Sequence, residues 1–258
     1  MKRVRICSLL LAVVIGAMAI FATACENNSA TVTSDMQSEE ASAATSVHGA
    51  ANGMLGGEEI KVVTFGTYEQ DGDRSTHNEK IEWIVLKEDF DGMLLLSKYA
   101  LRAKRVQSEG VPQWGKTEMY KFLNDTFYNE AFSAKEKKYI AEVLLTPGET
   151  FTHFNDEATN DPKGYVFLLS KTEVEEYLPN QEDRICTATA YAKQLCGPLN
   201  NTEYCDWWTR SISGGSCWTV RTDGSLSDYG FPLNYDNCVR PAIWIKNKQD
   251  AQVHNLFR

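Results

Sequence analysis

Histidine is scarce in this chain of 258 residues, and its four copies, His48, His77, His153 and His254, stand far apart with no His-x-x-x-His pair. No Cys-x-x-Cys occurs either, so the ligand spacings of ordinary zinc sites are missing. The oxygen-rich stretch Thr152-His153-Phe154-Asn155-Asp156-Glu157 with Asn160-Asp161 lacks the ligand spacing of a calcium loop and reads as a solvated acidic loop. There is no Gly-x-Ser-x-Gly elbow and no Gly-x-x-x-x-Gly-Lys phosphate cradle, and Ser213-Gly214-Gly215-Ser216 reads as a loop between strands. No catalytic residue, metal or cofactor is therefore expected. After residue 5 the basic residues form no run longer than a pair such as Lys137-Lys138, which argues against a nucleic-acid partner.

What is present begins at the N-terminus. Lys2, Arg3 and Arg5 precede an apolar run from Ile6 to Phe21, the length of a secretory core and too short for an ordinary spanning helix. Ala22-Thr23-Ala24-Cys25 follows as a lipoprotein cleavage signal, although Ala22 stands where leucine is commonest. Residues 1–24 are thus expected to be removed and Cys25 to carry the lipid, which would place the protein on the extracytoplasmic face of a cell membrane; the alternative is plain secretion with Cys25 left as a thiol. The three basic residues lost leave 23 Lys and Arg against 35 Asp and Glu, a formal charge of −12. An anionic surface would repel such a field, so membrane affinity would have to come from the lipid.

From Glu26 to Glu59 there is no Lys, Arg or aromatic residue, and Ser, Ala, Thr, Asn, Gly and acidic residues dominate. Such a segment buries too little apolar surface to offset its ordering entropy and reads as a linker reaching about 30 Å. Residues 60–258 form the expected domain. Strands are predicted over Ile60–Phe65, Ile81–Lys87 and Met93–Ser97, with a turn at Phe90-Asp91-Gly92. Helices are predicted over Thr117–Phe127, over Ser133–Val143 with Ser133 and Glu136 as a capping box, from a second box at Ser170 and Glu173 to Tyr177, and over Thr187–Leu195. Tyr165–Leu169 reads as a short buried strand, and Trp207–Ser211, Cys217–Arg221, Leu226–Tyr229 and Val239–Ile245 as later ones, with Asp223-Gly224 in a tight turn. The class is α+β, an antiparallel sheet with helices inserted between N-terminal and C-terminal strands that lie close together.

Cys205-Asp206-Trp207-Trp208-Thr209-Arg210-Ser211, Val239-Arg240-Pro241-Ala242 and Thr187-Ala188-Thr189-Ala190-Tyr191-Ala192-Lys193 resemble a domain-of-unknown-function family of secreted Gram-positive bacterial proteins and lipoproteins, whose members read Trp-Trp-Leu-Arg-Ser and Val-Arg-Pro-Ala. Phe65-Gly66-Thr67-Tyr68, Glu82-Trp83-Ile84-Val85-Leu86 and Val166-Phe167-Leu168-Leu169-Ser170 extend the likeness over about residues 60–246. The ending also resembles the C-type-lectin-like fold shared with formylglycine-generating enzymes. That likeness implies a compact domain with joined termini, but the Glu-Pro-Asn or Gln-Pro-Asp of calcium lectins is absent, and Asn234-Tyr235-Asp236-Asn237-Cys238 is only loosely similar to their Trp-Asn-Asp.

Beyond Cys25 the mature chain has Cys186, Cys196, Cys205, Cys217 and Cys238. An oxidising compartment favours disulfides, five is odd, and spacing does not choose among the pairings. The lectin-like ending implies Cys217 with Cys238 on neighbouring strands; Cys186 with Cys205 then leaves Cys196 over. Trp207, Trp208, Trp218, Tyr229, Tyr235 and Trp244 crowd the last fifty-odd residues, most of them expected in the core, with one of the adjacent Trp207 and Trp208 on each strand face. Arg210 and Arg240 are expected to tie strands together. Tyr229, Asn234, Tyr235 and Asp236 are the expected ligand contacts, for a glycan or a surface protein. The alternatives are an oxidative enzyme related to the formylglycine-generating group, with Cys196 and Cys205 as the place for it, and a structural envelope module.

Overall fold

The protein is seen here as a computed structural model that describes residues 54–90, 92–110, 113–145, 162–196, 203–213, 215–229 and 232–246. The leader, Cys25, most of the linker and the acidic loop after residue 151 lie outside the described residues. In chain order the strands are β1 (Met54–Leu55), β2 (Glu58–Glu59), β3 (Val62–Tyr68), β4 (Glu79–Glu88), β5 (Gly92–Ser97), β6 (Arg102–Lys104), β7 (Val143–Leu144), β8 (Lys163–Gly164) and β9 (Val166–Phe167). They continue as β10 (Trp207–Ser213), β11 (Ser216–Val220), β12 (Leu226–Ser227), β13 (Asn237–Val239) and β14 (Ala242–Lys246). The class is α+β with mostly antiparallel pairing. No helix among the described residues is long and apolar enough to cross a membrane.

The single sheet expected from the sequence is two five-stranded sheets, ordered β3-β4-β5-β14-β9 and β12-β11-β10-β13-β6, over one shared core. The terminal strands do meet, since β14 pairs antiparallel with β5 from Ala242 opposite Leu96 to Lys246 opposite Gly92. Central position explains composition: every residue of β5 and the first four of β14 are buried, so both read as unbroken apolar runs rather than alternating ones. Two short hairpins, β1-β2 and β7-β8, stand outside the main sheets. The first occupies the end of the segment read as linker and docks through Gly56 N, which donates to Asp183 Oδ2 at 3.0 Å.

The run Val239–Ile245, expected as one strand, is cut in two. Pro241 has no N–H for a ladder, and at Arg240-Pro241 the chain leaves one sheet for the other. The segment between β5 and β6 makes the same passage beside it, with Ser97 N bonded to Pro241 O at 2.9 Å and Leu101 N to Val239 O at 3.0 Å. Arg240 is fully buried at this crossing, its Nε donating to Ser97 O at 2.9 Å and its guanidinium 5.1 Å from the centre of the Trp207 ring.

Trp207 and Trp208 point to opposite faces as strand geometry requires, yet both are fully buried, because both faces of β10 are covered. Each indole finds an acceptor: Trp207 Nε1 bonds Arg184 O at 3.0 Å and Trp208 Nε1 bonds Lys104 O at 2.9 Å. Arg210, two residues on, has no exposed surface and forks onto Glu173, with Nη2 at 2.6 Å from Oε1 and Nη1 bonded to Oε2. Glu173 is also the capping-box partner of Ser170 at the start of the Lys171–Tyr177 helix, so one carboxylate ties β10 to a helix N-terminus.

An interrupted helix follows the N-terminal strands. Thr117 caps it, Glu118–Lys121 and Tyr128–Ala131 are α-helical, and Phe122–Phe127 between them is π-helical. The helix expected over Ser133–Val143 is not formed. Ser133 and Glu136 make the capping contacts, with Ser133 N on Glu136 Oε2 at 2.8 Å, but the turn stops as a 3-10 segment at Glu136–Lys138. Ile140 then bridges to Ile245, and Val143 and Leu144 enter a strand pair, where their branched side chains are buried.

Candidate functional site

A cleft of about 620 Å³ is lined by Tyr68, Glu69, Arg74, Asn78, Arg102, Phe122, Thr126, Glu130 and Tyr191. Four parts of the fold meet there: the end of β3 with the loop after it, the first residue of β6, the interrupted helix, and the Ala190–Cys196 helix. Phe122, Thr126 and Glu130 recur every fourth residue, starting at the first residue of the π-helical segment. Local π geometry is frequent where a helix serves a site, because the widened turn displaces side chains from α-helical register.

The loop carrying Arg74 is built by carboxylates. Oxygens of Glu69, Asp71 and Glu79 lie within 4.8 Å of one another, and each accepts a backbone amide: Glu69 from Gly72 at 2.7 Å, Glu79 from Gln70 at 2.7 Å and Asp71 from Asp73 at 2.7 Å. Those amides account for the grouping as a turn scaffold. The loop is pinned to the helix beyond it by Tyr191 N donating to Gln70 O at 2.9 Å.

At the centre of the cleft the phenol oxygen of Tyr191 accepts from two guanidinium groups, Arg74 Nη2 at 2.5 Å and Arg102 Nη1. Both cations also lie against its ring, at 5.4 Å for Arg74 and 5.2 Å for Arg102, and Arg102 stands 5.5 Å from the Phe122 ring as well. Arg102 Nε is buried without a hydrogen-bond partner. A guanidinium has five N–H donors and a phenol oxygen two lone pairs, so the Tyr191 oxygen is saturated as an acceptor while the arginines keep donors to spare. Tyr68 closes the floor, its ring 4.8 Å from that of Phe127 and 6.2 Å from that of Tyr191. Burial pushes its phenol up to about 12, against the lowering influence of Arg102, so Tyr68 is neutral at any ordinary pH. The arrangement offers forked N–H donors beside aromatic faces, which suits a planar anion attached to a ring or an apolar stem.

None of the four expected ligand contacts lines this cleft. Tyr229 is 95 % exposed after β12, and Asn234 is exposed in a turn closed by Tyr235 N on Pro232 O at 2.9 Å. Asp236 is occupied by Arg105, through the guanidinium at 2.9 Å and the backbone N at 2.8 Å. Sequence reading missed Arg74 and Arg102, which carry no local signal. Tyr68 and Tyr191 did stand inside quoted motifs, and a tyrosine is a candidate for a wet wall as much as for a core.

The cysteines correct a second expectation. Cys217 lies in β11 and Cys238 in β13, which flank β10 on opposite sides instead of pairing. Two ladder spacings put such strands about 9–10 Å apart, beyond the Cα span of a disulfide. Cys217 instead donates its thiol to Thr209 O at 3.0 Å. All five described cysteines are buried, no two of them are at disulfide bonding distance, and none lines the cleft.

No curated protein and no solved structure matches the chain. A family described as a domain of unknown function, DUF6273, matches residues 90–247, which is more than half of the sequence and includes the Trp-Trp-Thr-Arg-Ser and Val-Arg-Pro-Ala strings, Arg102 and Tyr191. The chain belongs to the DUF6273 domain family.

Proposed function

We propose that this protein is an exported, lipid-anchored binding protein whose domain takes an acidic sugar residue of an extracellular glycan, holding its carboxylate at Arg74 and Arg102. The observation that carries the reading is the convergence of two guanidinium groups on one tyrosine oxygen, with neither cation in an ion pair among the described residues. A carboxylate placed there would complete both forks at the cost of no existing pair, while Tyr191 and Phe122 offer ring faces to the sugar. The formal charge of −12 does not oppose this. At physiological ionic strength charges farther than about 8 Å are largely screened, so the cleft's own groups matter most, and there Arg74 and Arg102 converge on Tyr191 while Glu69 and Glu130 stand elsewhere in the lining.

Export and anchoring rest on the basic, apolar and Ala-Thr-Ala-Cys order of residues 1–25. The C-type-lectin-like ending remains part of the proposal, supported by a Trp-rich strand, a hairpin and a last strand that joins the N-terminal ones. The test is a panel of glycans that differ only in bearing a uronic or sialic carboxylate or its neutral counterpart, measured against the full chain and the variants Arg102→Ala and Tyr229→Ala. Carboxylated members are expected to bind, Arg102→Ala to weaken them about 10- to 100-fold, and Tyr229→Ala to leave them unchanged. Equal binding of neutral and acidic members would remove the carboxylate reading. Loss in Tyr229→Ala with none in Arg102→Ala would move the site to the C-terminal loops.

A further inference from the structure

Four of the five buried cysteines form a row. Cys205 N donates to Cys186 O at 2.8 Å and the two thiols act on each other's ionisation, while the Cys186 thiol itself faces Thr187 O at 3.5 Å and Lys98 O at 3.9 Å. The Cys205 and Cys238 thiols likewise act on each other's ionisation, and Cys238 Sγ lies 3.2 Å from Cys196 Sγ. No three of these sulfurs gather within 4.8 Å of one another, so the row does not close around a point as a metal site would. Cys217 stands apart, bonded to Thr209 O.

We infer that Cys186–Cys205 and Cys196–Cys238 are the two disulfides this domain forms when oxidised, and that Cys217 is the thiol left over. Only neighbours in the row can bond, and a row of four has two complete outcomes to compare. Joining the outer neighbours uses all four sulfurs. Joining the middle pair, Cys205 with Cys238, strands a thiol at each end. The outer pairing thus follows from parity together with the 3.2 Å approach of Cys196 to Cys238; it keeps the expected Cys186–Cys205 pair and puts Cys196–Cys238 in place of Cys217–Cys238. For each pair the two thiols give up their hydrogens, one S–S bond forms between them, and the S–S bond of a small or protein disulfide is cleaved to two thiols that receive those hydrogens. The guanidinium of Arg240 acts on Cys186 and Cys205 in the direction of thiolate, the attacking species, although burial of Cys186, and the nearby Cys238 with burial for Cys205, hold both thiols well above their ordinary range.

The second bridge has a structural consequence. Cys196 ends the helix that carries Tyr191, and Cys238 is paired with Ala103, the neighbour of Arg102. A bond between them fastens the Tyr191 wall of the cleft to the Arg102 strand. The pairing itself stands on geometry, whereas the availability of a disulfide oxidant to the protein in its cell rests on the export reading.

The test is disulfide mapping of the full chain equilibrated in a reduced and oxidised glutathione buffer, then alkylated in denaturant and cleaved after Lys, Arg and Glu. This cleavage places each of the five cysteines in a different peptide. The expected result is the Cys186 peptide joined to that of Cys205, the Cys196 peptide joined to that of Cys238, and Cys217 alkylated. Hydrogen exchange at residues 190–196 should accelerate at least tenfold on reduction, and equally in Cys196→Ser. A bridge containing Cys217, a Cys205–Cys238 bridge, or Cys196 and Cys238 both alkylated in fully oxidised protein would overturn the inference. Protein isolated from cells with five alkylated cysteines, but giving the expected bridges in the glutathione buffer, supports the pairing and counts against the export reading.

Discussion

Breaking the Glu173–Arg210 fork should be the most damaging conservative change in the domain. Both side chains have no exposure, the guanidinium also serves Leu168 O at 2.9 Å and lies 5.9 Å from the Phe167 ring, and Glu173 Oε2 accepts Ser170 N at 2.8 Å. Glu173→Gln keeps the shape and leaves a buried cation without its counter-charge, which costs about 3–5 kcal/mol. Part of the Ser170 cap goes with it, a contribution of about 1 kcal/mol. For a domain of roughly 200 residues each kcal/mol moves the thermal midpoint by about 2–4 °C, so a drop of about 8–24 °C is expected. Arg210→Met should lose a comparable amount, while Glu173→Gln with Arg210→Met should lose far less than the sum, since the second change removes the orphaned charge. Calorimetry and urea unfolding of the three variants, all in one redox state, measure this cycle. Additive losses, or a single-variant loss below 1 kcal/mol, would show that the two groups do not support each other and would refute the reasoning.

Tyr68→Phe should alter the alkaline limb of the stability profile. The folded phenol ionises near 12 and the unfolded one near 10, so the stability it contributes is complete below pH 10 and falls away between 10 and 12; the urea midpoint of the wild type should fall relative to that of the variant across that window, and parallel curves would argue against a buried neutral phenol. Cys25→Ala should abolish labelling by a fatty-acid analogue and lipoprotein-type processing, and equal labelling of variant and wild type would remove the anchor.

The sequence carried the class of the fold through patterns that act over a few residues. Alternation and apolar runs placed the N-terminal strands, the box at Ser170 and Glu173 placed a helix start, and Asp223-Gly224 placed a turn in which Gly224 has φ +84° with Gln181 O 1.9 Å from where a Cβ would stand. It did not carry what depends on distant partners. The Ser133 box formed its local bonds and still gave no helix, because Ile140 and Leu144 gained more from strand pairing. Val239–Ile245 looked like one strand because nothing local says that residues on either side of Pro241 belong to different sheets. The same blindness hid the cleft, whose two cations and central tyrosine come from positions 74, 102 and 191. It also hid Cys196 beside Cys238, because only the resemblance, and nothing in the chain, sets the Cys217 and Cys238 strands side by side.

The place of β14 between β5 and β9 also sets a schedule for folding. Its pairing partners on β5 lie roughly 150 residues earlier in the chain. A nascent chain can close the β3-β4-β5 meander early, but one edge of β5, with Met93, Leu94, Leu95 and Leu96 in succession, must wait until Ala242–Lys246 arrives. An open apolar edge is a template for pairing with another molecule. Chains cut short before Ala242, or stalled there, are therefore expected to aggregate through β5 instead of persisting as soluble partial domains, and the final turn through Arg240-Pro241 becomes the step that closes β5 against its own chain.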